Sequence, residues 1–324
     1  MISTRSLTKD FVVSRSQTVH AVRGISLDVE PGELVAVLGP NGAGKTTALR
    51  MLTTLITPTA GTATVAGYDV ATEPARVRRQ IGYVGQGNGA GHSQRVGDEL
   101  YGQGVIYGLD RRAARRRTGE LLESLDLSDL AQRKVSELSG GQRRRLDVAM
   151  GLVHAPSLLF LDEPSTGLDP QNRANLWDHI LRMREEYAMT IVLTTHYLDE
   201  ADSMAERVVV VDDGRVIADD TADALKAELA GDKLALTVAD SNSMQLKAAA
   251  ERLPGAREVV ADGDRLTVRV ADGPAALPSL LAAAQLAGVP VTTAQVHRPT
   301  LDDVFLNLTG RSLREAGTTR KAAA

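Results

Sequence analysis

The chain has 324 residues, more than a typical single domain, so we expect one large domain and a smaller one. A formal charge of −4 and an aromatic share of 3% argue against a nucleic-acid partner, because they provide neither a basic surface nor a stacking platform. The lack of cysteine excludes disulfides, thiolate metal sites and a cysteine nucleophile.

The sequence predicts neither an export signal nor a membrane span. The first eleven residues include Arg5 and Lys9 and contain no apolar stretch of the kind that a secretory signal needs. The longest strongly apolar runs, residues 158–161 and 208–211, are far shorter than the roughly 20 residues of a spanning helix. We therefore expect a protein that is not exported and that relies on a partner for any membrane-spanning part.

The first two thirds of the chain predict an α/β domain with a largely parallel sheet. Residues 22–29 and 62–65 alternate apolar with polar residues and predict a small antiparallel β lobe. Four short apolar runs predict buried strands at residues 34–38, 158–161, 190–194 and 207–211. Helices are predicted at residues 46–54 and 172–187, and a helical insertion at about residues 90–150 contains helical spacing at 111–127 and 141–154.

The last third predicts a small α+β domain with the order βαββαβ, which is a ferredoxin-like arrangement. The predicted elements are strand 233–239, helix 243–253, strands 257–260 and 264–270, helix 274–287, strand 290–296 and a closing helix at 300–308. We place the first domain at residues 1–222 and the second at 223–310. Residues 311–324 are a polar tail with too little apolar content to fold alone.

A glycine-rich loop between the first buried strand and a helix fits the pattern G-x-x-x-x-G-K-[ST]. Its backbone N–H groups can surround the β- and γ-phosphates of a nucleotide, while Lys45 adds positive charge and Thr46 reaches Mg²⁺. The flanking strand and helix argue against a chance glycine turn. The candidate nucleotide-binding residues of this segment are Gly39, Pro40, Asn41, Gly42, Ala43, Gly44, Lys45, Thr46 and Thr47.

Two adjacent carboxylates, Asp162 and Glu163, follow the apolar strand at residues 158–161. They are therefore expected at the carboxyl edge of the sheet, beside the phosphate loop. Asp162 is suited to hold Mg²⁺ through its water shell, and Glu163 is suited to orient and deprotonate an attacking water. Taken alone, the pair also fits an acidic turn without a chemical role.

The pentapeptide Leu138-Ser139-Gly140-Gly141-Gln142 precedes a predicted helix and offers free N–H groups and a hydroxyl to an anion. A simple helix cap is the alternative. Between a phosphate loop and an acidic strand, this pentapeptide resembles the signature of ABC-type ATPases, and the resemblance covers residues 1 to about 220. It implies a P-loop NTPase core with a RecA-like parallel sheet, and it implies that the chain binds ATP and Mg²⁺ and hydrolyses ATP.

The same resemblance implies roles for residues outside these motifs. Gln86 is similar to the glutamine that senses Mg²⁺ and the γ-phosphate, and His196 to the switch histidine that contacts the γ-phosphate and the attacking water. Asp169, in the sequence Gly-Leu-Asp, is similar to the loop that crosses to the other subunit. The implied catalytic set is Lys45, Gln86, Glu163 and His196, and the implied metal ligands are Thr46, Gln86 and Asp162.

Phe11 is similar to the aromatic residue that stacks on adenine in this family. Tyr68 and Tyr83 are alternatives, because we expect a long loop at residues 12–18 immediately after Phe11.

The resemblance also implies partners. In this family two nucleotide-binding domains pair head to tail, so that Ser139, Gly140, Gly141 and Gln142 contact the nucleotide of the other subunit. One copy of each motif implies a dimer, with the same chain or with a related subunit, together with a separate transmembrane permease. The expected location is the cytoplasmic face of a bacterial cell membrane.

Two arginine-rich runs, residues 111–117 and 143–145, could suggest nucleic acid. They lie on predicted helices with acidic residues nearby, and we interpret them as a solvated face.

Residues 299–310 resemble the daunorubicin-resistance group of exporter ATPases, in which the extra domain is regulatory or supports a dimer. The alternative is a closing helix that only packs Leu301, Val304, Phe305 and Leu308 on the sheet. The sequence thus predicts the ATP-hydrolysing subunit of an ABC transporter that powers export of a hydrophobic drug or antibiotic, with lipid or polysaccharide export left open.

The alternative function is a soluble ABC-type ATPase that acts on a ribosome or on DNA. It is disfavoured because the chain has a single ATPase half and no coiled coil or zinc module. A non-catalytic regulatory subunit is disfavoured because no catalytic position is degenerate.

Overall fold

The computed structural model describes residues 1–14, 17–239 and 242–310, so the predicted polar tail lies outside the described residues. The chain separates into two compact units, Met1–Asp219 and a second unit that begins at Asp220. The strands of the first unit are β1 (Ile2–Ser14), β2 (Gln17–Val29), β3 (Leu34–Leu38), β4 (Ala60–Val65), β5 (Tyr68–Asp69), β6 (Ile81–Val84), β7 (Leu158–Asp162), β8 (Thr190–Thr195), β9 (Arg207–Asp212) and β10 (Arg215–Asp220). Its helices are α1 (Lys45–Leu52), α2 (Pro74–Gln80), α3 (Val96–Ile106), α4 (Arg111–Ser124), α5 (Gly140–Leu152), α6 (Pro170–Tyr187) and α7 (Leu198–Met204).

The central sheet has the strand order β10-β9-β3-β8-β7-β6, and the pairs from β9 to β6 are parallel. Every residue of β3 and of β7 is buried, as expected for strands covered on both faces. The register places Asp162 opposite Thr194, and Leu38 opposite Thr195. The carboxyl ends of β3, β7 and β8 therefore lie side by side, which confirms the predicted parallel core.

The antiparallel lobe has the order β2-β1-β4-β5. The prediction of a long loop at residues 12–18 is wrong, because β1 continues to Ser14 and pairs Phe11 with Val19 and Val12 with Thr18. Val12 is 77% exposed, so burial does not drive this extension. β-branched residues favour the extended conformation even on a solvated surface, which explains the long hairpin.

The helical insertion contains α3, α4, two short 3₁₀ turns and α5, as predicted. The interpretation of the arginine runs as a solvated face fits Arg112 and Arg116, which are exposed, but it is wrong for Arg117, Arg144 and Arg145. The side chains of Arg117 and Arg145 are only 12% and 14% exposed. Arg144 is 8% exposed because it lies on the same face of α5 as the buried Asp147 and Val148, three and four residues further along.

The second unit contains the predicted ferredoxin-like arrangement. Its elements are α8 (Ala222–Leu225), a π-helical turn (Lys226–Ala230), β11 (Asp232–Val238), α9 (Ser243–Glu251), β12 (Arg257–Asp262), β13 (Arg265–Val270), α10 (Gly273–Leu286), β14 (Val291–His297) and α11 (Leu301–Thr309). The sheet order is β12-β13-β11-β14 with antiparallel pairs, and Leu234, Leu246 and Leu280 are buried between sheet and helices. α11 starts with a capping box and packs chiefly against α8 and the π-helical turn, with Phe305 fully buried.

Candidate ATPase site

The phosphate loop connects β3 to α1, and its backbone leaves no room for side chains at two glycines. A Cβ at Gly39 would lie 2.1 Å from the carbonyl oxygen of Val211, and one at Gly44 would lie 2.4 Å from that of Ala21. Gly44 also has a φ of +104°, which L-residues with a side chain rarely adopt. Close packing of the loop on its neighbours therefore requires glycine at both positions.

Lys45 is 4% exposed, and no acidic side chain among the residues that the structure describes lies within hydrogen-bond distance of its ammonium. Its Nζ donates to the carbonyl oxygens of Gly39 (2.6 Å) and Pro40 (3.1 Å). Burial lowers the pKa of Lys45, and the negative charges of Glu163 and Asp162 oppose this effect. A buried cation that is held by its own loop is well placed to receive an anion such as a phosphate.

Thr46, Asp162 and Gln86 converge at the start of α1. The Thr46 hydroxyl donates to Asp162 Oδ1 (2.9 Å), and Gln86 Nε2 donates to the Thr46 hydroxyl (3.2 Å). Asp162 is fully buried and also accepts from Thr194 (2.7 Å), yet its Oδ2 has no hydrogen-bond partner within the described part of the chain. A buried, unpartnered carboxylate oxygen is costly unless a cation completes it.

This set of hydroxyl, carboxylate and amide groups fits Mg²⁺, which prefers oxygen ligands. Across the described ranges there is no cluster of three or more His, Cys, Asp or Glu side chains that could hold a metal alone. The arrangement thus suits an ion that takes its remaining ligands from water and from substrate phosphates.

Glu163 follows Asp162 in a strained backbone conformation, with a φ of +47°. Its N–H is bonded to Thr194 Oγ1 (3.1 Å), which fixes the turn after β7. Its Oε2 lies 3.4 Å from His196 Nδ1 and accepts from Thr166 (3.3 Å). The contact with His196 lowers the pKa of Glu163, burial raises it, and the charge of Lys45 lowers it further, so the carboxylate stays ionised at neutral pH.

The signature residues form a separate group at the start of α5. Ser139 and Gln142 make reciprocal hydrogen bonds of 3.3 and 3.0 Å in a capping box. A Cβ at Gly141 would lie 2.4 Å from Asn172 Oδ1, and Asn172 donates to Asp169 (2.5 Å), the cap of α6. The starts of α5 and α6 thus lie together with their N–H groups near one surface.

The predicted residues therefore fall into two groups. We call the first the phosphate-side group, and it contains Lys45, Thr46, Gln86, Asp162, Glu163 and His196. We call the second the signature-side group, and it contains Ser139, Gly140, Gly141, Gln142 and Asp169.

Phe11 is 40% exposed on β1, with Lys9 Nζ 5.3 Å from the ring centroid. The alternatives, Tyr68 and Tyr83, are half-buried and contact other side chains. The Arg76 guanidinium lies over the Tyr68 ring, and Tyr83 contacts Arg50. Phe11 therefore stays the candidate for adenine.

The sequence interpretation missed Thr194 and Arg144. Thr194 is fully buried and bonds both Asp162 and Glu163. Its position at the end of a parallel strand beside β7 was an available signal. The role of Arg144 had no comparable signal, because it is the second of three consecutive arginines.

Family models match most of the chain in two parts. The model described as ABC transporter matches residues 22–166, and the model described as ATP-binding protein DrrA1-3-like, C-terminal domain, matches residues 221–309. Together with the phosphate loop and the parallel sheet, these matches define a P-loop ATPase of the ABC class.

Two curated relatives extend the match over nearly the whole chain. Daunorubicin resistance ATP-binding protein DrrA3 of Streptomyces coeruleorubidus is 45% identical over 96% of this chain and 98% of the relative. Daunorubicin/doxorubicin resistance ATP-binding protein DrrA of Streptomyces peucetius is 41% identical over 99% of this chain and 98% of the relative. The chain belongs to the ABC transporter family, in its DrrA-like group of ATP-binding subunits, and it is an ATPase.

Among solved structures, a dimer of the ATP-binding cassette MJ0796 in a post-hydrolysis state with ADP and Pi has a TM-score of 0.63 and is 25% identical. The matched region covers 68% of the present chain and 98% of the MJ0796 chain. Within the described ranges, no helix of the present chain is long and apolar enough to cross a bilayer.

Proposed function

We propose that ATP closes two copies of this chain, or this chain and a related subunit, around two nucleotides and that hydrolysis reopens the pair. The observation that carries the proposal is the separation of the predicted residues into a phosphate-side group and a signature-side group. Each group offers hydrogen-bond donors to an anion, and in the proposed dimer the phosphate-side group of one copy and the signature-side group of the other would together complete one nucleotide site. The dimeric state of the MJ0796 cassette supports this arrangement.

On the phosphate side, we assign the binding of the β- and γ-phosphates to the backbone of Gly39–Gly44 and to Lys45. Thr46, Gln86 and Asp162 would hold Mg²⁺, which when bound neutralises charge on the phosphates and aligns them for in-line attack. Phe11 would stack on adenine. Thr47, Pro40 and Asn41 complete the proposed nucleotide-binding set.

Glu163 would orient the attacking water and accept its proton, because the carboxylate is ionised and is fixed by the turn after β7. His196, whose Nδ1 lies 3.4 Å from Glu163 Oε2, would orient Glu163 and the water. Across the dimer, Ser139 and the N–H groups of Gly140 and Gly141 would stabilise the negative charge that spreads over the γ-phosphate.

We further propose that residues 1–222 are the ATPase domain and residues 223–310 an accessory domain, which the matched ranges 22–166 and 221–309 support. A separate permease would place the chain at the cytoplasmic face of a bacterial membrane. The names of the relatives support a hydrophobic drug or antibiotic as the exported compound. A soluble ATPase that acts on a ribosome or DNA is disfavoured, because the relatives are drug-resistance subunits over nearly their full length.

The proposal is tested by co-expression of the chain with a candidate permease partner in a drug-sensitive bacterium. We expect the wild type to lower accumulation of daunorubicin, and the Glu163→Gln variant to leave it at the level of cells without the pair. Equal protection by both chains would contradict the coupling of hydrolysis to export.

A further inference from the structure

Arg144 is a buried guanidinium on α5, five residues after Ser139, and it is 8% exposed. Burial of a charged group is costly unless its donors find acceptors. Burial lowers the pKa of Arg144 and the charge of Asp147 opposes this change, but a guanidinium remains charged in proteins.

The donors of Arg144 reach two loops of the phosphate side. Nε donates to the carbonyl oxygen of Pro164 (2.6 Å), and Nη1 donates to that of Gly85 (2.7 Å). Nη2 points to the carbonyl oxygen of Asp162 (3.4 Å). Pro164 follows Glu163 and Gly85 precedes Gln86, so a single planar group connects the backbones that carry both residues.

Asp147 lies almost one turn further along α5 and holds the other end of the same loop. Its Oδ1 accepts from the N–H of Gly89 (2.9 Å), and its Oδ2 lies 3.8 Å from Arg144 Nη1. Burial raises the pKa of Asp147, while the Gly89 N–H and the charge of Arg144 lower it. The segment from Gly85 to Gly89 is thus tied to α5 on both sides of Gln86.

We infer that Arg144 is a positioning residue that sets Gln86 and Glu163 relative to each other and couples both to the signature-bearing helix α5. Because α5 begins directly after Ser139, any shift of this helix on closure must move Gly85 and Pro164 with it. The inference rests on the proposed roles of Gln86, Glu163 and the signature. When the signature of one subunit contacts the nucleotide held by its partner, Arg144 would transmit the movement of α5 to Gln86 and Glu163 of its own subunit.

Only arginine has the donor geometry that this position requires. The three acceptors are carbonyl oxygens on two segments, residues 162–164 and Gly85, and a lysine has one compact ammonium that cannot span them in the same planar arrangement. The neighbouring Arg145 is a matched control, because it is also largely buried but faces His179 (3.3 Å) and Asp126 (3.7 Å).

The experiment compares full-length wild type, Arg144→Gln, Arg144→Lys and Arg145→Gln. Amide hydrogen exchange is measured for the peptide that spans residues 83–92 without nucleotide, and kcat and KM of ATP hydrolysis are measured on the same preparations. For Arg144→Gln we expect exchange at least about fivefold faster, kcat lower by at least about tenfold and KM within about threefold of the wild type. Arg145→Gln should match the wild type in exchange of this peptide, and Arg144→Lys should lie between.

Two results would overturn the inference. One is wild-type exchange and wild-type kcat in both Arg144 variants, and the other is a low kcat with unchanged exchange, because Arg144 would then act elsewhere. If Arg144→Gln does not fold, as judged by circular dichroism, Arg144→Lys decides between the same outcomes. The exchange measurement needs no hydrolysis, so it stays informative even if the proposed roles of Glu163 and the signature fail in their own tests.

Discussion

The Thr46 hydroxyl donates to Asp162 Oδ1 over 2.9 Å and so joins the first turn of α1 to the end of β7. This bond sets the distance between the phosphate loop and the acidic strand end. Asp162 Oδ2 is buried and has no hydrogen-bond partner among the described residues. Thr46 and Asp162 are therefore the pair on which the proposed Mg²⁺ site is built.

Thr46→Val should weaken binding of Mg-ATP by roughly ten- to a hundredfold, because valine removes the hydroxyl oxygen that is proposed to bind Mg²⁺. Calorimetric titration with Mg-ATP measures the change. Thr46→Ser keeps the hydroxyl and should bind within about threefold of the wild type. Equal affinity of the valine and serine variants would remove Thr46 from the proposed metal site.

Gly44→Ala should destabilise the first unit by about 1–3 kcal/mol, because alanine is strained at a φ of +104° and its Cβ would approach Ala21 O to 2.4 Å. Urea unfolding followed by circular dichroism measures the loss. Gly67→Ala is the matched control, since Gly67 has a φ of +83° but no atom within 4 Å of a Cβ. An equal loss in both variants would mean that the close approach to Ala21 contributes nothing.

Ser139→Arg should prevent dimer closure and leave nucleotide binding by the monomer within about threefold of the wild type. The larger, charged side chain would occupy the surface that the other copy must approach. Ser139→Ala separates the capping effect, because loss of the capping box alone should cost about 1 kcal/mol of stability. Light scattering and binding of a fluorescent ATP analogue report the two properties. Loss of nucleotide binding by the Ser139→Arg monomer would contradict the assignment of the signature to the other subunit.

The lowered pKa of Glu163 makes a prediction for acid stability. A carboxyl group with a folded-state pKa below its ordinary value of 4.5 stabilises the native state above that value. This contribution is lost as the pH falls through the folded-state pKa. The difference in unfolding free energy between wild type and Glu163→Gln, from urea curves between about pH 6 and about pH 3, should therefore shift against the wild type at the acid end. A shift in its favour would contradict the His196 contact.

Much of the fold could be predicted because the sequence patterns that indicate its strands and helices are local. The runs of apolar residues at 34–38 and 158–161 are buried on both faces and need no tertiary information to be recognised. The extent of the β1–β2 hairpin was not predictable, because Val12 is exposed and gives no burial pattern.

The site was predictable as a set of motifs but not as a geometry. The spacing of the phosphate-loop motif places Lys45 at the start of α1, and Asp162 is placed by its position at the end of β7. The burial of Arg144 could not be predicted, because three consecutive arginines on a helix face three directions and only the packing of α5 determines how deeply each is buried. Thr194 could have been found from its place at the end of β8, but its bonds to Asp162 and Glu163 depend on the pairing of β8 with β7.

The proposed mechanism requires Glu163 to activate water in a site that a second subunit completes. Steady-state ATP hydrolysis of the wild type and of Glu163→Gln, with size-exclusion chromatography in Mg-ATP, tests both requirements. We predict a fall in kcat by roughly a thousandfold or more in the variant, with ATP binding retained and a stable dimer in Mg-ATP. Full turnover in Glu163→Gln, or an ATP-bound variant that stays monomeric, would contradict the account.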